Sequence, residues 1–208
     1  MGCWDEACVG GRENLNFTML SILSQPGFQQ RAMPLSIKAW HQMIETGLAP
    51  DRAELIQGVI VEKMSKSILH TKLADLLAEL LRNTVPKAFW IRQEAPMTFA
   101  DSEPEPDISV VEGRRADYDA HPTTARLVVE VSVSSIGEDR ALAPLYAEAA
   151  VVEYWIVNGK ERCIEVYRDP VGGRYQTQVR MVEGGVLECA ALPEVRVSVS
   201  ELFAGIEG

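Results

Sequence analysis

The spacing of apolar and polar positions predicts both helices and strands in the chain after residue 32. Apolar residues recur at near-helical spacing over 34–47 and 67–83, and the second segment is a strongly amphipathic helix. Short alternating or apolar runs predict strands, with a pair of strands around Gly58. These strand segments are 53–64, 88–99, 106–111, 126–133, 152–158, 162–168, 174–183 and 195–199.

A third helical segment, 137–150, determines the expected topology. It contains Pro144, which either marks the first turn or bends the helix. It also lies between the predicted strands "RLVVEVSV" and "VEYWIVN", so it forms a crossover connection, which makes those two strands parallel. We therefore predict an α/β fold with a mixed β-sheet, flanking helices and additional antiparallel strands.

The first 32 residues lack this patterning. They show no periodicity, and no basic segment precedes an apolar core as it does in a signal peptide. We expect a poorly ordered N-terminal extension over 1–32 and a single domain over 33–208, because the remaining length suits one well-formed core.

Composition and charge narrow the classes of function. The 208 residues carry a net charge of −10, and a negative field repels nucleic acid unless a cation intervenes. No run of 18 apolar residues occurs, so we expect no membrane partner. The cysteines lack the spacing of a metal site, and we expect free thiols in a cytoplasmic protein. They are Cys3, Cys8, Cys163 and Cys189.

Acidic residues occur at the starts of strands and inside one of them. Asp107 directly precedes an apolar strand in "SEPEPDISVV", and Glu54 opens another strand. Glu130 interrupts "LVVEVSV", where an ionised carboxylate costs several kcal/mol unless it is paired or metal-bound. Strand alternation can turn it to the face opposite Val129 and Val131. Taken singly, these acids are also explained as surface, turn or salt-bridged residues.

Together the segments resemble a known family. The stretches "AELIQGVIVEKMSKSILH", "PEPDISVV", "RLVVEVSVSS" and "DRALAPLYAEAAVVEYWIVN" occur in the order found in the Uma family of restriction endonucleases, within the PD-(D/E)XK nuclease superfamily. The resemblance covers roughly residues 33–203. It implies a restriction-endonuclease-like core and hydrolysis of DNA phosphodiester bonds with a divalent metal. It also makes nucleic acid the expected partner, and a homodimer would allow both strands to be cut.

The resemblance assigns roles to four residues. Asp107 and Glu130 match the metal-binding carboxylates, and Glu54 matches an upstream glutamate that completes the metal shell or orients water. His70 matches a recurrent histidine, which is either catalytic or a polar residue on a helix flank. Mg²⁺ or Mn²⁺ is the implied cofactor, and Mg²⁺ characteristically takes one or two carboxylates plus waters and phosphate oxygens. The preceding acids, Glu103 and Glu105, are expected to be solvated loop charges.

One expected residue of the superfamily is missing. Its lysine beside the metal stabilises charge and positions water, but Ser132 stands two residues after Glu130, where that lysine is expected. The related family often carries the lysine in the next helix, and Leu142 stands at that place here. Arg140 is a candidate substitute that cannot act as a base, and Lys63 or Lys66 could reach the site from elsewhere in the chain. A second hypothesis is therefore a catalytically silent protein that binds nucleic acid or a protein partner on the same scaffold.

A third hypothesis comes from aromatic residues in the later strands. Tyr154, Trp155 and Tyr167 could form a surface for a protein partner, although core packing is the favoured interpretation of Trp155.

Overall fold

A computed structural model describes residues 25–206 of the chain, which divides into two units, Met1–Leu35 and Ser36–Gly208. The described part of the first unit contains the short helix α1, Pro26–Gln29. The extension expected over 1–32 falls mainly on residues 1–24, outside the described residues.

The second unit alternates strands and helices. In chain order its elements are α2 Ile37–Glu45, β1 Ala53–Ile56, β2 Val59–Glu62, α3 Ile68–Thr84, β3 Phe89–Gln93, β4 Ile108–Glu112, a 3₁₀ turn Arg115–Asp117, β5 Leu127–Ser132, α4 Ile136–Glu148, β6 Glu153–Asn158, β7 Cys163–Val171, β8 Arg174–Val182, β9 Val186–Glu188, β10 Arg196–Ser198 and α5 Val199–Ala204.

A six-stranded mixed sheet organises this unit. Its strand order is β3-β4-β5-β6-β7-β8. Strands β5 and β6 are parallel because α4 connects them as a crossover, and the other neighbouring pairs are antiparallel. Two small antiparallel pairs, β1-β2 and β9-β10, supplement it. The predicted α/β fold, with its mixed sheet, flanking helices and additional antiparallel strands, is confirmed.

Helices cover both faces of the sheet with separate cores. The core on the α3 side includes Leu73, Leu77 and Val129. Val129 points to this side because successive residues of β5 point to opposite faces of the sheet. The α4 core includes Tyr146 and Tyr154. Trp155 is fully buried, so the prediction of core packing is confirmed. Tyr154 and Tyr167 are buried too, and the hypothesis that these three aromatics form a partner surface is wrong.

Local signals explain where most helices begin. The Ser67 side chain caps α3 by accepting a hydrogen bond from the His70 backbone N–H at 3.2 Å. Ser198 caps α5 in the same way, so the strand predicted over 195–199 ends there and a helix follows. Pro144 lies inside α4 without ending it.

One predicted strand is longer than the observed strand, and one observed strand was not predicted. The segment 88–99 forms a strand only as far as Gln93, because the backbone of Glu94 adopts a left-handed φ of 45° that breaks the extended chain. The short strand β9 was not predicted. Within residues 25–206, no helix has both the length and the apolar character needed to cross a membrane.

Candidate functional site

Two acids from neighbouring strands meet at one edge of the sheet. The antiparallel register of β4 and β5 pairs Ile108 with Val129, so Asp107 and Glu130 are the next opposing positions. The Asp107 backbone N–H donates to Glu130 Oε2 at 3.1 Å. Both side chains are buried, with exposed fractions of 6% and 9%. The sheet therefore brings together two carboxylates that lie 23 residues apart in the sequence.

The Asp107 carboxylate is held by three donors from three segments. Oδ2 accepts a hydrogen bond from the Val131 backbone N–H at 2.8 Å and lies 2.9 Å from His70 Nε2. Oδ1 accepts from Lys66 Nζ at 2.7 Å. Burial by itself would raise the pKa of Asp107, but the contacts with His70 and Lys66 outweigh it and hold that pKa below its usual value. Asp107 is thus kept ionised.

Glu130 lies in a contrasting environment. Strand alternation turns its side chain to the α4 face, where the buried Tyr146 hydroxyl donates to Oε1 at 2.8 Å. Burial raises the pKa of Glu130 well above its ordinary value, and the negative charges of Asp107 and Asp139 raise it further. The pKa values of the two opposing carboxyls are therefore pushed in opposite directions, which is a frequent property of functional sites.

Glu54 and His70 lie in the same cleft as these two acids. The Glu54 carboxylate accepts a hydrogen bond from the Glu105 backbone N–H at 3.1 Å, and burial raises the pKa of Glu54. His70 is in the first turn of α3, and its Nδ1 is buried without a hydrogen-bond partner among the described residues. The side chain predicted as either catalytic or a helix-flank residue thus faces Asp107.

The cleft has a volume of about 820 Å³ and contains all four predicted site residues. Asp139, at the start of α4, and Leu142, one turn later, also line it. Burial raises the pKa of Asp139. Leu142 packs against the apolar cluster on the α4 face of the sheet and brings no charge to the cleft.

Comparison with known families identifies the chain. Residues 41–200 match the Uma2 family, which is described as "Putative restriction endonuclease". The match covers more than half of the chain and includes every predicted site residue.

The chain belongs to the Uma2 family. Its fold is also similar to a solved structure from Anabaena variabilis ATCC 29413, described as "a putative nuclease belonging to DUF820". The two have a TM-score of 0.70 and 17% sequence identity, and the alignment covers 83% of this chain and 99% of that one. At this identity the likeness shows the fold alone. A comparison with curated proteins finds no match. Family membership supports a nuclease function for the chain.

Within this Uma2 chain, the donor set suits a metal that needs few protein ligands. No group of three or more histidine, cysteine, aspartate or glutamate side chains within residues 25–206 is arranged to hold a metal ion by itself. Asp107 and Glu130 nevertheless lie together, because the Asp107 backbone N–H contacts the Glu130 carboxylate and the negative charge of Asp107 raises the pKa of Glu130. Mg²⁺ or Mn²⁺ would suit such a pair, because these ions need few protein ligands and take waters and phosphate oxygens as the others.

Of the two acids of this Uma2 chain that were predicted to be solvated loop charges, Glu103 contradicts the prediction and Glu105 is partly exposed. Glu103 is buried rather than solvated, because its carboxylate accepts hydrogen bonds from Trp40 Nε1 at 3.1 Å and Thr98 Oγ1 at 2.5 Å. It also lies 2.7 Å from His41 Nε2 and so ties α2 to the strand region. Glu105 lines the cleft and pairs with Lys63.

The candidate substitutes for the missing lysine differ in whether they reach Asp107. Arg140 does not line the cleft, because its guanidinium pairs with Glu165, with Nε 2.9 Å from Oε2. Lys66 does reach Asp107. The cysteines Cys163 and Cys189 are buried free thiols as expected, whereas Cys3 and Cys8 lie outside the described residues.

Sequence reasoning missed Tyr146 and Glu94 as partners of the site. Tyr146 lies in the predicted helix 137–150, and no local pattern distinguishes a buried tyrosine that binds a carboxylate. Glu94 Oε1 lies 3.1 Å from Lys66 Nζ. A signal for Lys66 did exist, because a lysine next to the N-cap of a helix meets the positive end of the helix dipole and needs an acidic partner.

Proposed function

We propose that this protein is a divalent-metal-dependent endonuclease that hydrolyses phosphodiester bonds of DNA. One observation carries the proposal, namely the contact between the Asp107 backbone and the Glu130 carboxylate inside a cleft that is open to solvent. The negative charge of Asp107 raises the pKa of the buried Glu130, and a cation bound by both acids relieves the repulsion between their charges. Membership of the Uma2 family and the nuclease-like fold support the proposal.

The protein residues have distinct tasks in this proposal. Asp107 and Glu130 hold the metal, with Glu54 as the third candidate ligand. Val131 N–H fixes the rotamer of Asp107, and Tyr146 fixes that of Glu130, so the two carboxylates are oriented before any ligand binds. The chemistry that Mg²⁺ or Mn²⁺ supplies is polarisation of a phosphoryl oxygen and neutralisation of the charge that develops on it.

His70 is in position to orient the site or to move a proton. Its Nε2 lies 2.9 Å from Asp107 Oδ2, which leaves the buried Nδ1 as its second polar atom. The contact with Asp107 holds the ring at the cleft wall. We assign His70 the role of orienting Asp107, and a direct part in proton transfer requires Nδ1 to reach substrate or water.

A plasmid-nicking assay tests the proposal. We expect the purified protein to nick supercoiled plasmid with Mg²⁺ or Mn²⁺ and to lose this activity with EDTA. The variants Asp107→Asn and Glu130→Gln remove the charges but keep the side-chain size, and each should abolish nicking. Asp75→Asn is the matched control, because Asp75 is exposed on α3 outside the cleft. Activity that survives both cleft substitutions and EDTA rejects the mechanism.

A second candidate function is a catalytically silent member of the fold that binds nucleic acid or a protein partner. The observation that favours it is Leu142, which lines the cleft but packs as an apolar residue at the place where the resemblance leads us to expect a lysine. Under this hypothesis the wild type lacks activity and Leu142→Lys creates it. Robust cleavage by the wild-type protein rejects the silent alternative.

A further inference from the structure

We propose that Lys66 is the cationic residue of this site and replaces, from a different segment, the lysine that is absent at position 142. The inference rests on the proposed nuclease function for its catalytic part, but the contact that motivates it does not. Lys66 lies in the linker between β2 and α3, far in sequence from Leu142, yet both residues line one cleft.

The contacts of Lys66 leave its ammonium able to bind a ligand in the cleft. Its ammonium lies 2.7 Å from Asp107 Oδ1 and 3.1 Å from Glu94 Oε1. A lysine ammonium has three N–H donors and no acceptor, and these two carboxylates take two of the donors. Among the contacts within residues 25–206, the third proton remains available to a phosphate oxygen. The Lys66 side chain is 36% exposed at the cleft wall, where a ligand can reach it.

A purely structural ion pair explains this arrangement less well. Asp107 Oδ2 already receives a backbone N–H and lies beside His70, so the buried carboxylate does not depend on Lys66 alone. Lys66 also directly precedes Ser67, the N-cap of α3, where a positive charge opposes the helix dipole. The chain thus keeps a locally unfavourable cation beside a predicted metal ligand, which is a conflict typical of functional positions.

The other cations near the cleft have different partners. Lys63 pairs with Glu105, and the Arg52 guanidinium lies 3.4 Å from Ser65 Oγ. Neither contacts Asp107 within the part of the chain that the structure describes. Among lysine and arginine side chains there, Lys66 is the one that combines contact with Asp107 and access to the cleft.

The first experiment measures metal binding without nucleic acid. Lys66→Met removes a positive charge beside Asp107 and frees Oδ1, so we expect it to bind Mn²⁺ about fivefold or more tightly than wild type in isothermal titration calorimetry. Lys66→Arg keeps the charge and should stay near the wild-type affinity. Lys160→Met is the control, because it removes the same charge from a residue that is exposed in the turn after β6 and lies outside the cleft. This variant should not alter the Mn²⁺ affinity.

The second experiment measures plasmid nicking at saturating Mn²⁺. Loss of one charge-stabilising donor should lower the rate of Lys66→Met about 10²–10³-fold. The double variant Lys66→Met/Leu142→Lys should recover a substantial part of that rate, because residue 142 lines the same cleft. Tighter metal binding combined with slower cleavage separates the loss of the Lys66 charge from a disrupted site, which would weaken both metal binding and cleavage.

The outcomes separate this inference from the proposed function. Unchanged Mn²⁺ affinity in Lys66→Met overturns the assignment of Lys66 whether or not the wild type cleaves DNA. Undiminished cleavage by Lys66→Met at saturating Mn²⁺ also overturns it. A wild type that does not cleave, together with tighter Mn²⁺ binding by Lys66→Met, rejects the nuclease reaction but retains Lys66 as the cation that shares Asp107 with the metal.

Discussion

The hydrogen bond from Tyr146 to Glu130 gives a sharp test of how this site is held. The Tyr146 hydroxyl is buried and donates to Glu130 Oε1 at 2.8 Å. Its ring packs edge-on to Phe99 at 6.1 Å and tilted against Tyr154 at 4.8 Å between centroids. Tyr146→Phe keeps these ring contacts and removes a single donor, so the variant isolates the hydrogen bond.

The expected magnitude depends on the charge of the acceptor. A hydrogen bond to a charged group contributes about 1.5–3 kcal/mol, compared with about 0.5–1.5 kcal/mol for a neutral acceptor. We expect Tyr146→Phe to lower the free energy of unfolding by about 1.5–3 kcal/mol where Glu130 is ionised and by about 0.5–1.5 kcal/mol where it is protonated. The matched control is Tyr154→Phe, because the Tyr154 hydroxyl donates at 2.8 Å to the neutral carbonyl oxygen of Asp139. Its cost should fall in the lower range.

The pH dependence follows from the pKa of Glu130. Burial and neighbouring charges raise that pKa, whereas the Tyr146 hydrogen bond lowers it. A carboxyl whose pKa is raised by folding makes the folded state less stable as the pH rises through the folded pKa. Removing the Tyr146 donor raises the pKa of Glu130 further and enlarges this loss. The cost of Tyr146→Phe should therefore be larger at pH 8 than at pH 5, where more of Glu130 is protonated.

Urea unfolding of the wild type and both variants, in EDTA at pH 8 and pH 5, provides the measurement. The comparison with Tyr154→Phe removes the general effect of losing a buried hydroxyl. Equal costs for the two variants at both pH values would refute the reasoning, because they would mean that the Tyr146 hydroxyl does not stabilise an ionised Glu130.

Three further predictions concern residues outside the cleft. Glu153 is fully buried and pairs with Arg168, whose Nη2 lies 2.9 Å from Glu153 Oε1, so Glu153→Ala should lower the unfolding free energy in urea by about 3–5 kcal/mol and Glu153→Gln by less. Arg140 holds the pKa of Glu165 below its usual value, so this pair stabilises the protein fully above the unfolded pKa of about 4.3, and the cost of Arg140→Met in urea unfolding should decrease as the pH falls through the lowered pKa of Glu165. Burial raises the pKa of Cys189 to about 12, so mass spectrometry should find Cys189 unmodified by iodoacetamide at pH 8 until urea unfolds the protein, and rapid alkylation of the native protein would contradict its burial.

Much of the fold could be predicted because its signals are local. The regular spacing of leucines set α3, and the position of α4 between two apolar strands set the parallel pairing of β5 and β6. Predictions failed where an element is short or ends without a strong local signal, as at β9 and after Gln93. The partners of Glu103 could not be predicted, since Trp40 lies 63 residues away in the chain.

The sequence by itself determined which residue types the site contains. The order of Glu54, His70, Asp107 and Glu130 along patterned segments pointed to the Uma2 family and to acids suited to a divalent metal. Only the tertiary structure decided which cation accompanies them. Lys66 and Asp107 are 41 residues apart, and their contact exists because α3 begins at the edge where β4 starts. Hydrophobic spacing specifies each element, whereas packing of α3 on the sheet specifies which side chains from different elements meet.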